Sequence, residues 1–365
     1  MVNHYYIRKL ELTNFRNYKS SVFSFNQGSY VIHGNNGTGK TSLLEAISLL
    51  NVGKGLKNES LDNIVQHSQS YALVDSQIET SLGFWSLKTA IEKDGIKNKF
   101  SKKYLLDDKI LAPKDLSNLL SCVWIIPQMD NFFLQDNSFK RKFFDRLIFN
   151  FDPSHLTRLN SYEKLLKERN KILSLYSNNN VWLDVIEEQL VSLGVSIIAN
   201  RMDFINQLNQ LLLSNSLYPM EIIFSGEIEE LFHIHQFSLK VENIYKDKLK
   251  KSRSIDSAIG GTQIGAHKTK FTAREILKNS LAENLSTGEQ KMLLLNIIIG
   301  FITLMKYSKK QNPILLLDEL NVHLDAENTR HILEKMLSFN SQIFITTTNT
   351  EYYRNFQSKL NFFGL

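Results

Sequence analysis

The chain has 365 residues, 42% of them hydrophobic and 22% charged, which excludes a disordered or collagen-like protein and leaves room for two or three packed units. A formal net charge of +6 is compatible with a polyanionic partner without identifying one, and a single cysteine, Cys122, excludes an internal disulfide. The opening MVNHYYIRKLEL alternates charged and apolar residues and lacks the apolar core of a signal peptide, so a cytoplasmic protein is expected.

Leu10 and Leu12, then Phe23 and Phe25, alternate with polar neighbours and predict strands; residues 30–33 predict a short strand ending at Gly34. Gly34-Asn35-Asn36-Gly37-Thr38-Gly39-Lys40-Thr41 follows and fits G-x-x-x-x-G-K-[ST] in full. Leu43, Leu44, Ile47 and Leu50 then fall at helical spacing. Glycines let such a loop wrap an anion with its N–H groups inward, and the helix start adds a field that favours negative charge. Lys40 is expected at the β and γ phosphates of a nucleotide, and the Thr41 hydroxyl on Mg2+.

Residues 53–60 read as a loop, and 71–126 as short strands with a hairpin turn at Lys93-Asp94-Gly95. Cys122 sits in an apolar stretch and reads as a small buried hydrophobe. The middle changes character. Leu156, Leu159, Tyr162, Leu165, Ile172 and Tyr176 trace one helical face, Ser177-Asn178-Asn179-Asn180 breaks it, and Trp182, Ile186, Leu190, Leu193, Ile197, Ile205, Leu208 and Leu212 trace another. This predicts a helical hairpin in a lobe over 130–215, between α/β parts at 1–129 and 216–365. Phe132, Phe133, Phe143 and Phe144 are expected to pack inside it. Residues 221–224 and 237–241 read as strands, and the basic run 246–253 as a solvated helix end or loop.

Leu285-Ser286-Thr287-Gly288-Glu289-Gln290 predicts a helix start, with Ser286 as N-cap and Glu289 reciprocating. A capped start with an exposed Ser and Gly also suits a phosphate. Residues 292–305, rich in Leu and Ile, fall short of the roughly 20 residues of a membrane span and read as a buried helix. Four aliphatic residues at 314–317, closed by Asp318 and Glu319, predict a strand buried on both faces of a parallel sheet. Asp318 is expected to hold Mg2+, and Glu319 to orient or deprotonate the water that attacks the γ-phosphate. His4, His323 and His331 make no metal set.

The order of these motifs resembles the ABC-type ATPases: phosphate loop, signature at 285–290, acidic strand, and a D-loop at Asp325. Within them the chain resembles the RecF family of bacterial DNA-repair proteins. Residues 10–18 (LELTNFRNY), 31–47, Lys140-Arg141-Lys142-Phe143-Phe144-Asp145-Arg146-Leu147, Asp152-Pro153-Ser154, Tyr162, Arg169-Asn170, Gly265-Ala266-His267-Lys268 and 344–348 carry the match. It departs from the family at Glu289 and Lys291, at Glu319, at Ala266 and Lys268, and Asn349 stands where many ABC ATPases have a switch histidine.

The resemblance implies an α/β ABC-type P-loop ATPase head, with mixed β-sheet, an inserted helical lobe and no long coiled coil. It implies ATP and Mg2+, with Gly34–Thr41 around the phosphates, and Ser286, Gly288 and Gln290 completing the site of a second copy in an ATP-sandwiched homodimer. Arg16 is a candidate extra phosphate contact and Gln128 a candidate Q-loop glutamine. Implied partners are DNA (single-stranded, double-stranded and gap junctions), RecR and RecO, and functionally RecA. Weak DNA-dependent ATPase activity would reset the clamp, and no membrane is involved. A transporter cassette would not carry the RecF-like blocks; an SMC- or Rad50-like ATPase would separate its two ends by a very long coiled coil.

Overall fold

The computed structural model describes residues 4–81, 83–95, 98–175, 180–214, 218–235 and 238–365. Tyr176, expected on the first helical face, and Ser177-Asn178-Asn179 of the expected break lie outside them, and Asn180, the last residue of that break, is already helical. The chain divides into two units, Met1–Asp130 with Ile297–Leu365, and Asn131–Asn296.

The first unit opens with β1 (Tyr5–Phe15), β2 (Tyr18–Ser24) and β3 (Ser29–His33), then α1 (Lys40–Ser48) and α2 (Leu61–Ile64). Next come β4 (Tyr71–Thr80), β5 (Gly83–Lys93), β6 (Phe100–Leu106), β7 (Lys109–Leu111), α3 (Pro113–Leu119) and β8 (Cys122–Ile125). The alternating strands form an antiparallel sheet in the order β2-β1-β4-β5-β6-β7. Alternation sends Leu10, Leu12, Val74, Leu87 and Ile91 to one buried face. The sheet is tied to the end of α1 by hydroxyls: Thr89 donates to the Leu49 carbonyl at 2.9 Å, and Tyr104 to the Asn51 carbonyl at 3.2 Å.

The second unit contains α4 (Asn137–Phe151), α5 (Ser154–Leu175), α6 (Asn180–Ser214), β9 (Met220–Ser225), α7 (Glu227–Ile234), α8 (Ser238–Ile259), β10 (Lys270–Glu275), β11 (Ser280–Leu281) and the start of α9 (Thr287–Leu304). α5 and α6 are the expected hairpin, and Tyr162, Ile172, Ile186, Leu190 and Ile197 share a core with Val241, Tyr245 and Leu249 of α8. Phe132 packs edge-on against Phe133 and Phe143, and Phe144 stacks on Phe271, so these rings are lobe core.

Two expectations change here. Residues 238–241, read as part of a strand, begin α8; Phe237 lies outside the described residues. Ser-Leu-Lys-Val alternates over too few positions to exclude a helix, and the buried residues onward, Val241, Tyr245, Leu249, Ser252 and Asp256, recur at helical spacing. The boundary expected at 215 falls instead after Asn296. The β11-β10-β9 sheet is bound to the helices: Asn209 of α6 holds both the N–H and the carbonyl of Ile222, at 2.8 and 3.0 Å.

The chain re-enters the first unit within α9. Among the described residues, Thr287–Lys309 is the one helical stretch long and apolar enough to cross a membrane, and it is mostly buried inside the protein. β12 (Ile314–Asp318), α10 (Ala326–Leu337), β13 (Ile343–Thr347) and β14 (Leu360–Gly364) complete a five-stranded sheet in the order β14-β3-β13-β12-β8. Every pairing in it is parallel, and β3, β8, β12 and β13 are the apolar runs expected of strands covered on both faces. The mixed β character is thus divided between an antiparallel and a parallel sheet. Parallel order brings the C-terminal ends of β3, β8, β12 and β13 to one edge, the edge where open α/β sheets bind ligands.

Candidate nucleotide-binding site

The loop at 34–39 leaves the end of β3 and enters α1. Gly39 precedes the helix with a left-handed backbone (φ 107°), and a Cβ there would meet the Tyr18 hydroxyl at 2.4 Å. Only glycine meets both conditions. Tyr18 donates to the Gly39 carbonyl at 3.2 Å, so the β1–β2 turn braces the loop. Lys40 is buried, and its ammonium folds back to donate to the Gly34 and Asn35 carbonyls at 2.8 and 2.7 Å. Asn35, Asn36 and Gly37 are exposed.

Thr41 and Asp318, 277 residues apart, meet: the threonine hydroxyl lies 3.1 Å from each oxygen of the carboxylate. Thr346, at the end of β13, donates its hydroxyl to Asp318 Oδ1. A hydroxyl and a carboxylate are hard oxygen donors, and one or two such ligands are what Mg2+ takes from a protein when phosphates and water fill its other positions. The residues fit that ion. Glu319 follows with a left-handed backbone (φ 52°) that ends the strand, and its N–H donates to Thr346 at 3.2 Å.

Other expected site residues are placed differently. Arg16 is held by Glu45 of α1 and by Glu59, at 3.0 Å for the latter. A guanidinium in this double carboxylate clamp anchors the β1–β2 turn to the phosphate-loop helix. Gln128 is exposed in a 3-10 turn just after β8, at the ligand edge of the sheet. Asp325 caps α10, accepting from the Asn328 N–H at 2.7 Å. Asn349 accepts from the Glu351 N–H at 2.9 Å and caps the 3-10 turn that follows β13.

The signature residues begin α9 in the second unit. Ser286 and Glu289 form the reciprocal box: the Ser286 N–H and hydroxyl donate to Glu289 Oε2 at 2.9 and 2.6 Å, and the Glu289 N–H donates back to the hydroxyl at 3.4 Å. Hydrogen bonds from Lys278 and Ser286 hold the Glu289 carboxyl down at about 2. Ser286 is exposed, while Gly288 is half-buried. Gln290 is buried and donates to the Leu285 carbonyl at 3.0 Å, so its side chain braces the signature turn from inside.

His267 is a structural histidine. Nδ1 lies 3.0 Å from the Tyr162 hydroxyl and Nε2 2.8 Å from the Thr262 carbonyl. Burial lowers its pKa to about 4, so the ring is neutral, donating from Nε2 and accepting at Nδ1. Sequence reasoning missed Thr346, Tyr18 and Glu45. The threonine run closing the last apolar strand was a usable signal for the first; the other two depend on pairings across the fold.

A parallel sheet carrying a phosphate loop and an acidic pair at one edge, beside an antiparallel sheet and with a capped signature helix downstream, defines an ATPase head fold of the ABC type. The family model described as RecF/RecN/SMC N terminal domain matches residues 6–363. The DNA replication and repair protein RecF of Rickettsia africae is 33% identical over 356 residues, covering 97% of both chains. That of Rickettsia prowazekii is 34% identical over the same length and coverage. The chain belongs to the RecF family. Among solved structures, the recombination mediator protein RecF-ATPrS in the RecFOR pathway superimposes with a TM-score of 0.85 at 23% identity, covering 96% of this chain and 94% of that one. An Smc head domain from Pyrococcus furiosus superimposes with a TM-score of 0.51 at 17% identity, covering 96% and 92%. At these identities both matches concern the fold.

Proposed function

We propose that this chain is an ATP-dependent DNA-binding protein of bacterial recombinational repair and replication. In this reading it acts in the cytoplasm, without a membrane partner, as a homodimer closed around ATP on gapped, single-stranded and double-stranded DNA. It promotes RecA loading together with RecO and RecR. The observation that carries the nucleotide part is the meeting of Thr41 with Asp318 beside a loop whose lysine, among the described residues, rests only on backbone carbonyls. The DNA part rests on the names of its relatives.

The chemistry follows from the residues. Lys40 can exchange two neutral carbonyls for phosphate oxygens, a gain in charge pairing without a lost ion pair. The N–H groups at the start of α1 face the same anion. Thr41 and Asp318 would hold Mg2+, which would neutralise charge on the phosphate oxygens. Thr346 keeps the Asp318 carboxylate oriented. Glu319 orients or deprotonates the attacking water, giving slow turnover that reopens the dimer. Ser286 and Gly288 of a second copy complete the site.

The test is fluorescence anisotropy of a gapped duplex, with and without ATP, for wild type and Lys40→Ala. Binding that needs both ATP and Lys40 is expected. A wild type that hydrolyses ATP yet ignores DNA would remove the DNA part and leave the nucleotide site standing.

A further inference from the structure

The two basic segments of the chain have opposite surroundings. Along α8, Lys246, Lys248, Lys250 and Arg253 pair with Glu188, Glu227, Asp184 and Glu187, so most of that run is already neutralised. In the loop after α1, Lys54 and Lys57 form no ion pair among the described residues. Glu59, close by in sequence, is taken by Arg16.

That loop has a built shape. The Leu56 N–H donates to Ser48 Oγ at 2.8 Å, and Gly53 and Gly55 (φ 115° and 75°) turn the chain on either side of an exposed Lys54. A Cβ on Gly55 would meet Leu49 at 2.9 Å. The β5–β6 hairpin meets the loop directly. Its cross-strand pairs Thr89–Tyr104, Ile91–Lys102 and Lys93–Phe100 share one face. The Lys102 ammonium lies over the Tyr104 ring, 4.9 Å from its centre, and donates to the Gly53 carbonyl. Further along the same face, exposed Lys93 lies over Phe100, and Lys99 is exposed beside it; neither is ion-paired among the described residues. The opposite face of the hairpin is balanced, Lys103 by Glu92 and Lys88 by Asp75 and Asp108.

We infer that the rim made by Lys54 and Lys57 of the loop after α1, with Lys93 and Lys99 of the β5–β6 hairpin, is a contact for the phosphate backbone of duplex DNA. The inference rests on the DNA reading above and assigns it residues. Lysines are flexible point charges, suited to phosphate oxygens and carrying no planar fork for base edges, so the contact is sequence-independent. Its affinity is set by counterion release and falls steeply with salt.

The experiment titrates a gapped duplex by anisotropy with ATP, across a salt series. It compares wild type, the rim pair Lys54→Gln/Lys57→Gln, and the α8 pair Lys246→Gln/Lys250→Gln. ATP binding by each variant reports that it is folded. The rim pair is expected to weaken binding about tenfold at about 0.15 M salt and to reduce the salt slope by about two, roughly one per lost phosphate contact. The α8 pair is expected to stay within about twofold of wild type, since its charges are already balanced. Wild-type affinity and slope in the rim pair, with DNA binding by the wild type intact, overturn the rim while leaving the DNA reading untouched. No DNA binding by the wild type at any salt overturns both.

Discussion

Arg169 and Lys40 are both buried cations, one in each unit, and their surroundings differ in kind. The Arg169 guanidinium reaches Glu187 at 2.9 Å, Asp256 at 2.8 Å, the Thr262 hydroxyl at 2.6 Å and the Leu249 carbonyl at 3.0 Å. Arg201 is treated likewise, bridging Asp145, the Ala266 carbonyl and Thr269. These charges are fixed by full sets of partners and specify how α5, α6 and α8 meet. Among the described residues, Lys40 has only two carbonyls of its own loop. A charge that must later meet a ligand is better held by groups it can leave; a charge that organises a lobe must never leave.

The sharpest way to break this contrast is to remove both cations. Arg169→Met leaves the buried Asp256 carboxylate without a cation and Glu187 to Arg253 alone, and is expected to lower stability by about 3–5 kcal/mol in guanidinium unfolding. Lys40→Met, which strands no charge, should stay within about 1 kcal/mol of wild type while ATP binding is lost. Equal destabilisation by both would erase the distinction. Within the site, Glu319→Gln should bind ATP normally in a filter assay and hydrolyse it on the order of 10³-fold more slowly. Unchanged turnover would move the base elsewhere.

The lobe should also respond to pH. Burial holds the His267 pKa at about 4, below its ordinary 6.5, so the folded state prefers the neutral ring. The unfolded chain therefore binds more protons between these values. Stability is full above about pH 6.5 and falls by up to about 3 kcal/mol as pH drops to about 4. His267→Gln should flatten that slope in urea melts taken across the window. Asp145 adds its own loss lower down: burial pushes its carboxyl up, but Arg201 and His155 outweigh this and hold it at about 2. That contribution is present above about pH 4 and lost as pH falls towards 2. The smallest effect expected is that of Ser286→Ala, about 1 kcal/mol in the thermal unfolding of the signature helix, from its lost cap.

The chain order alone determined the chemistry of the ligand edge. A phosphate loop is a local object: eight consecutive residues set the glycine turns, the lysine and the helix start. The aliphatic run ending in Asp318 and the Ser286–Glu289 box are local in the same sense, and each stands where its pattern predicts. Tertiary structure decided how the charges are paired. Nothing near Arg16 in sequence announces Glu45, and nothing near Arg169 announces Asp256, 87 residues away. It also decided that residues 238–241 are helix, that the helical unit extends to Asn296, and that one basic run is balanced while another is open. The physical reason is range. Backbone conformation over a short motif follows from its own residues, whereas a side-chain charge takes whichever partner the fold brings within about 4 Å.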